Sequence, residues 1–178
     1  ANADDPDNEY NNNQLQSFIK VNNNIDAEAS MANSASLIAF PESRLQWVRP
    51  GIMLYGSSPL LAQSASDLQL KPVMNFESRL LSVQYLKQGE VIGYGSSWKC
   101  PEDMLVGVVA AGYADGYPRH AASGTPVWLN NQCCPLGGRV SMDSFSVDCR
   151  NMEVKPGDRV VLWGKELSVD EVASHAGT

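Results

Sequence analysis

The chain has 178 residues, 43% of them hydrophobic, with 14 Gly and 10 Pro, which suits one core or one complete domain plus part of another. Its 13 basic and 20 acidic side chains leave a net charge of −7, which excludes the concentrated basic face that a nucleic-acid backbone demands. No apolar run reaches the roughly 20 residues of a membrane span, so a membrane partner is not expected either.

Residues Ala1–Tyr10 are acidic and lack an initiator Met and the basic and apolar regions of a signal peptide, so the sequence reads as a piece of a longer chain. Leu15, Phe18, Ile19 and Val21 recur at helical spacing and predict a short amphipathic helix over 11–24. The apolar run Ala35–Phe40 is either helix or buried strand, with Pro41 limiting its length. Arg49-Pro50-Gly51 marks a turn before the apolar segment Ile52–Tyr55, and the Ser-, Pro- and Ala-rich stretch Ser57–Asp67 reads as a linker. A domain boundary is therefore expected near it, with domains at 1–62 and 63–178.

From Val73 the period changes to two. Leu81, Val83 and Tyr85 alternate with Ser82 and Gln84, and Phe145, Val147 and Cys149 with Ser144, Ser146 and Asp148. With the apolar runs between them, about six to eight strands are expected before a helix opens at Ser168, which predicts a barrel or sandwich. Gly112–Arg119 reads as a strand ending in an Asp-Gly turn, a hairpin connection.

Few residues advertise chemistry by spacing alone. The four cysteines, Cys100, Cys133, Cys134 and Cys149, fit neither zinc nor Cys-x-x-C spacing and read as free thiols in a reducing cytoplasm. His120 and His175 are too few and too far apart for a metal site. Gly93 and Gly95 would present Tyr94 rather than bury it, although a tyrosine near a strand end usually packs in a core or at an interface, and a phenol, which ordinarily titrates at about 10, is a base only where donors or positive charge support it. Arg49 alone is an ordinary surface cation, and Met31-Ala32-Asn33-Ser34-Ala35 alone is a helix cap or loop.

Taken together, three motifs say more. Val91-Ile92-Gly93-Tyr94-Gly95-Ser96-Ser97-Trp98, Arg139-Val140-Ser141-Met142-Asp143 and Arg49-Pro50-Gly51-Ile52-Met53-Leu54-Tyr55-Gly56 resemble alanine racemase, a pyridoxal 5'-phosphate enzyme, over the second half of that family's chain. The resemblance implies a mainly β fold with some α: the last part of an α/β (TIM) barrel, then the C-terminal β domain. It makes Tyr94 the base on one face of the substrate and Met142 the substrate-carboxylate contact, both given to the partner subunit of a homodimer. It puts Asn33, Ser34, Gly51 and Ile52 at the cofactor phosphate, and Arg49 at the pyridine nitrogen. Tyr113, Arg119, Arg139 and Asp143 would line the access corridor, with Asp4 opposite.

The family's lysine motif, Lys-Ala-Asn-Ala-Tyr-Gly-His-Gly, which supplies the covalent cofactor anchor and the second base, does not occur in the sequence. By the same resemblance the chain starts just after a barrel strand and stops before a phosphate-binding tyrosine. It is expected to be inactive alone, with residues 1 to about 62 disordered, rearranged or paired with another chain, because a partial barrel cannot close. The implied parent activity is interconversion of L- and D-alanine for cell-wall synthesis. The alternatives are a racemase of serine or lysine, or a non-catalytic β-barrel dimerisation module. Against the module, Ser34, Arg49, Tyr94 and Met142 all match the catalytic pattern.

Overall fold

The helical spacing of Leu15, Phe18 and Ile19 forms α1, Tyr10–Asn22, in a computed structural model that describes residues 2–178. Leu15 is buried, whereas Val21 stays in solvent. The chain continues as β1, Ser30–Asn33, then α2, Ser34–Ala39. The apolar run that periodicity left open is thus a helix, and its first turn is fixed by Asn33, whose side-chain oxygen accepts from Ser36 N at 2.9 Å. Pro41 opens a separate 3-10 turn, Pro41–Ser43. After it, β2, Trp47–Arg49, pairs parallel to β1, with Ser30 opposite Trp47 and Asn33 opposite Arg49.

A second 3-10 turn, Ile52–Tyr55, leaves Ile52, Leu54 and Tyr55 each more than half exposed, so this apolar segment is not core. A small cluster of Ala3, Ala35 and Leu60, backed by Ile38, Phe40 and Leu68, fills the interior instead. The partial barrel expected to be disordered, rearranged or paired with another chain carries regular elements here, but no closed barrel. Its sheet stays open at two strands.

Contacts divide the chain between Val73 and Met74. The second unit holds β3, Phe76–Leu86, β4, Val91–Ile92, β5, Trp98–Lys99, and β6, Met104–Val109. These are followed by β7, Pro126–Leu129, β8, Gln132–Gly137, β9, Phe145–Asp148, β10, Arg159–Trp163, and α3, Val169–Ala176. Six of the strands close an antiparallel barrel in the order β10-β3-β6-β9-β8-β7, while β4 and β5 form a separate two-stranded hairpin. Closure leaves the barrel no unpaired edge.

The barrel core includes Leu129, Leu136, Val147, Val160 and Leu162, all essentially sealed from water. Each such side chain contributes about 1.5–3 kcal/mol of burial. Phe145 and Val147 on β9 and Cys149 just past it are buried as their alternation suggested, although Asp148 between them is buried too. On β3 the expectation fails: Leu81 and Tyr85 are exposed and Leu80 is the buried residue. The register against β6 shifts between Leu80 and Ser82, and such a bulge moves side chains to the other face. α3 is capped by Ser168, whose hydroxyl accepts from Asp170 N at 3.1 Å. Among the described residues no helix is long and apolar enough to cross a membrane, and no group of three or more His, Cys, Asp or Glu is placed to hold a metal.

Candidate active site

Because β1 and β2 run parallel, their carboxyl ends lie on the same side of the sheet, the position where open α/β sheets place ligands. Asn33 and Ser34 follow from β1, and Arg49, Gly51 and Ile52 from β2. Ser34 is buried, and its Oγ accepts from Gly51 N at 2.7 Å, tying the two strand ends together. A Cβ on Gly51 would meet only this hydroxyl, at 3.8 Å, so the surface beside it is open.

Arg49 is exposed, but its guanidinium is held: Nη1 donates to Ser30 Oγ at 2.6 Å and Nη2 to Met31 O at 3.1 Å. A planar group with five donors keeps others free after such a fork. Asn33, by contrast, uses its side-chain oxygen as the cap of α2. In the same unit, the Asp4 main-chain carbonyl accepts from Leu61 N at 3.0 Å and the residue is exposed.

The second unit gathers the other predicted residues. Tyr94 sits at the tip of the β4–β5 hairpin with 68% of its surface exposed, between Gly93 at φ 77° and Gly95 at φ 71°. Left-handed backbone on both sides is readily taken only by glycine, and it turns the phenol outward. Met142 is also exposed, following the turn of chain from Gly138 to Ser141.

The segment read as a hairpin connection at Gly112–Arg119 is instead a 3-10 turn, Tyr113–Asp115, closed by Gly116. Non-local contacts decide this: Tyr113 N donates to Ser141 O at 3.1 Å and Ala114 N to Met142 O at 2.9 Å. Gly112 sits so close that a Cβ there would lie 2.2 Å from Met142 O. Arg119 stacks on the ring of Tyr113, 5.4 Å from its centroid.

Arg119 and Arg139 line one cleft of about 330 Å³, together with Ser97, His120 and Ser123. Asp143 is exposed beside Met142. Ser123 was not singled out from the sequence, Ser97 appeared there only within its motif, and His120 was weighed only as a metal ligand. Cys133 is an exposed free cysteine whose thiol is pushed up by desolvation and by the nearby Glu171 carboxylate.

Residues 73–178 match the family described as "Alanine racemase, C-terminal domain", and residues 1–59 match "Alanine racemase, N-terminal domain". The chain belongs to the alanine racemase family. It is 48% identical over 177 residues to an alanine racemase of Vibrio parahaemolyticus, covering 99% of this chain and 49% of that protein. It matches the crystal structure of the biosynthetic alanine racemase of Pseudomonas aeruginosa with TM-score 0.97 and 45% identity, over 100% of this chain and 50% of that one. An alanine racemase from Bartonella henselae, solved with covalently bound pyridoxal phosphate, matches with TM-score 0.87 and 31% identity, again over 100% and 50%. The chain thus spans about half the length of these alanine racemases.

Proposed function

We propose that this chain carries part of the active site of an enzyme that interconverts L- and D-alanine with pyridoxal 5'-phosphate, made for cell-wall synthesis. Family membership and the exposed Tyr94 phenol, held out by two left-handed glycines, carry the reading. The residues present fit the cofactor. Gly51 N donates to Ser34 Oγ at 2.7 Å and so orients that hydroxyl, whose own hydrogen stays available to a phosphate beside the open face of Gly51, with Ile52 N next in line and Asn33 bracing the turn.

Arg49, already oriented by Ser30 and Met31, would donate to the pyridine nitrogen. Guanidinium stays protonated and has no acceptor, so Arg49 would donate to a ring nitrogen rather than receive a proton from it. The chemistry the cofactor supplies when bound is electron withdrawal that acidifies the Cα proton of an amino acid.

Tyr94 would carry that proton on one face, and Met142 would contact the substrate carboxylate. As the family resemblance implies, both would serve the partner subunit's cofactor in a homodimer. Tyr113, Arg119, Arg139 and Asp143, with Asp4, would form the access corridor, whose mixed charge suits a small zwitterion. The covalent lysine and second base must come from a segment carrying the family's lysine motif, absent from this sequence. Four free cysteines support a reducing, cytoplasmic setting.

The test is L/D-alanine interconversion with pyridoxal phosphate, first with this chain alone and then joined to the lysine-bearing half of the Pseudomonas aeruginosa relative. Activity is expected only in the joined enzyme, and Tyr94→Phe should abolish it. Full activity in Tyr94→Phe would overturn the assignment of Tyr94.

A further inference from the structure

The hairpin that carries Tyr94 is too short to place itself. Its strands pair through Val91 with Lys99 and Ile92 with Trp98, with one further step where Cys100 N donates to Glu90 O at 2.8 Å, and an isolated two-stranded hairpin is marginal even when longer. Ile92 and Trp98 anchor its base on Cys100, Met104 and Val106, and its tip rests on the chain leaving β8. A Cβ built on Gly93 would lie 3.4 Å from Arg139 N and 4.0 Å from Gly138 Cα. On the other side, Trp98 packs over Gly137 and Gly138, with side-chain atoms 3.6 Å from the position a Cβ would take at each. Gly137–Arg139 is therefore the ledge under Tyr94, and three residues later the same chain delivers Met142.

Gly137 is held by its pairing with Ser146 of β9, and Gly138 by a side chain. The antiparallel register of β7 and β8 places Pro126 opposite Pro135, and continued outward it brings Ser123 opposite Gly138. The main-chain ladder persists as far as Gly124 N, which donates to Leu136 O at 2.8 Å. At the next step Gly138 turns to φ 87° and the backbone pairing ends. There the Ser123 hydroxyl takes over both main-chain groups, accepting from Gly138 N at 3.0 Å and donating to Gly138 O at 3.1 Å. One hydroxyl uses its donor and an acceptor on a single residue, fixing the two peptide units that meet at Gly138.

We infer that Ser123 is a positioning residue for Tyr94, acting through Gly138 and Arg139. This rests on the proposed role of Tyr94 as the base. A base displaced by about an ångström loses up to a hundredfold in rate, so a two-bond clamp under its hairpin has a catalytic consequence without touching substrate.

The test compares Ser123→Ala, Ser123→Thr and Tyr94→Phe in the pyridoxal-phosphate-loaded joined enzyme. Ser123 is exposed, so threonine has room for its methyl group and keeps the hydroxyl. Ser123→Ala is expected to lower kcat about tenfold or more, and Ser123→Thr to restore it. The primary isotope effect from Cα-deuterated alanine should rise only in the direction in which Tyr94 takes the proton, since the other base serves the reverse. A general structural loss would not split the two directions. A second readout needs no cofactor: in this chain, Ser123→Ala should speed amide hydrogen exchange in residues 91–99 about tenfold while β3 and β6 keep wild-type protection.

Wild-type exchange at 91–99 with unchanged isotope effects would overturn the inference, as would an equal loss of protection across β3 and β6. Full activity in Tyr94→Phe would instead sink the catalytic reading on which the inference depends. The exchange at 91–99 would then decide alone whether Ser123 holds the hairpin.

Discussion

Gly112→Ala isolates a single steric contact. Gly112 has φ −147°, extended backbone open to any residue, so alanine meets no conformational penalty there. The obstacle is the main chain opposite: the new Cβ would lie 2.2 Å from Met142 O and 2.4 Å from Ser141 O, more than an ångström inside ordinary contact on the first. The turn Tyr113–Asp115 must lift away, weakening the bonds from Tyr113 N to Ser141 O and from Ala114 N to Met142 O. Two such bonds contribute about 0.5–1.5 kcal/mol each, and overpacking costs about 1–3 kcal/mol more, for an expected loss of about 2–6 kcal/mol. Urea unfolding followed by tryptophan fluorescence reads this directly. Gly124→Ala is the control. Nothing lies within 4 Å of its Cβ position, but its φ of 96° charges the backbone alone, about 1–2 kcal/mol. If Gly112→Ala cost no more than Gly124→Ala, the close approach to Met142 would not be the constraint described.

Three further outcomes follow from other contacts. Asp148 is buried with Arg150 alone among the described residues to balance its charge, Nη2 lying 2.7 Å from Oδ2; Arg150→Ala should lose about 2–4 kcal/mol in the same assay, and a loss below about 1 would refute it. The Tyr117 hydroxyl is buried without a hydrogen-bond partner among the described residues, and burial pushes the phenol up; Tyr117→Phe should therefore leave the thermal midpoint unchanged or raise it, and a fall of several degrees would contradict this. Arg159 holds the carboxyls of Glu77 and Glu166 below their ordinary value of 4.5, so the unfolded chain takes up their protons first as pH falls. Their stabilisation is present above that value and lost below it, and Arg159→Gln should flatten the acid limb of stability between about pH 5 and 3.

Local signals were legible where the deciding contacts are themselves local. Gly93 and Gly95 announced an outward Tyr94, Ser168 a helix start, and alternation the burial of Phe145, Val147 and Cys149, and each holds. The residues that misled are governed from a distance. Leu81 and Leu80 exchange faces because β3 bulges to follow β6, and nothing in the composition of β3 encodes that shift. Gly112–Arg119 carries hairpin chemistry in its Asp-Gly pair, but two carbonyls some thirty residues downstream recruit its amides into a 3-10 turn. Ser123 was invisible for the same reason: a serine before a glycine turn carries no mark of the peptide it will clamp.

The way these side chains are held also bears on the choice between a catalyst and a dimerisation module. A docking surface needs area and shape, and tolerates rotamer freedom at its rim. Here Arg49 is forked onto a hydroxyl and a carbonyl, and Ser34 is locked by an amide while buried. Tyr94 sits on a ledge that a second serine clamps from behind, and the Met142 carbonyl is pinned by the turn that Gly112 makes possible. None of these contacts enlarges the barrel core, since Arg49, Tyr94 and Met142 all stay exposed. Fixing exposed groups in orientation brings no comparable gain in stability, but it is what a reaction geometry requires, because catalytic rate falls steeply with small errors of placement.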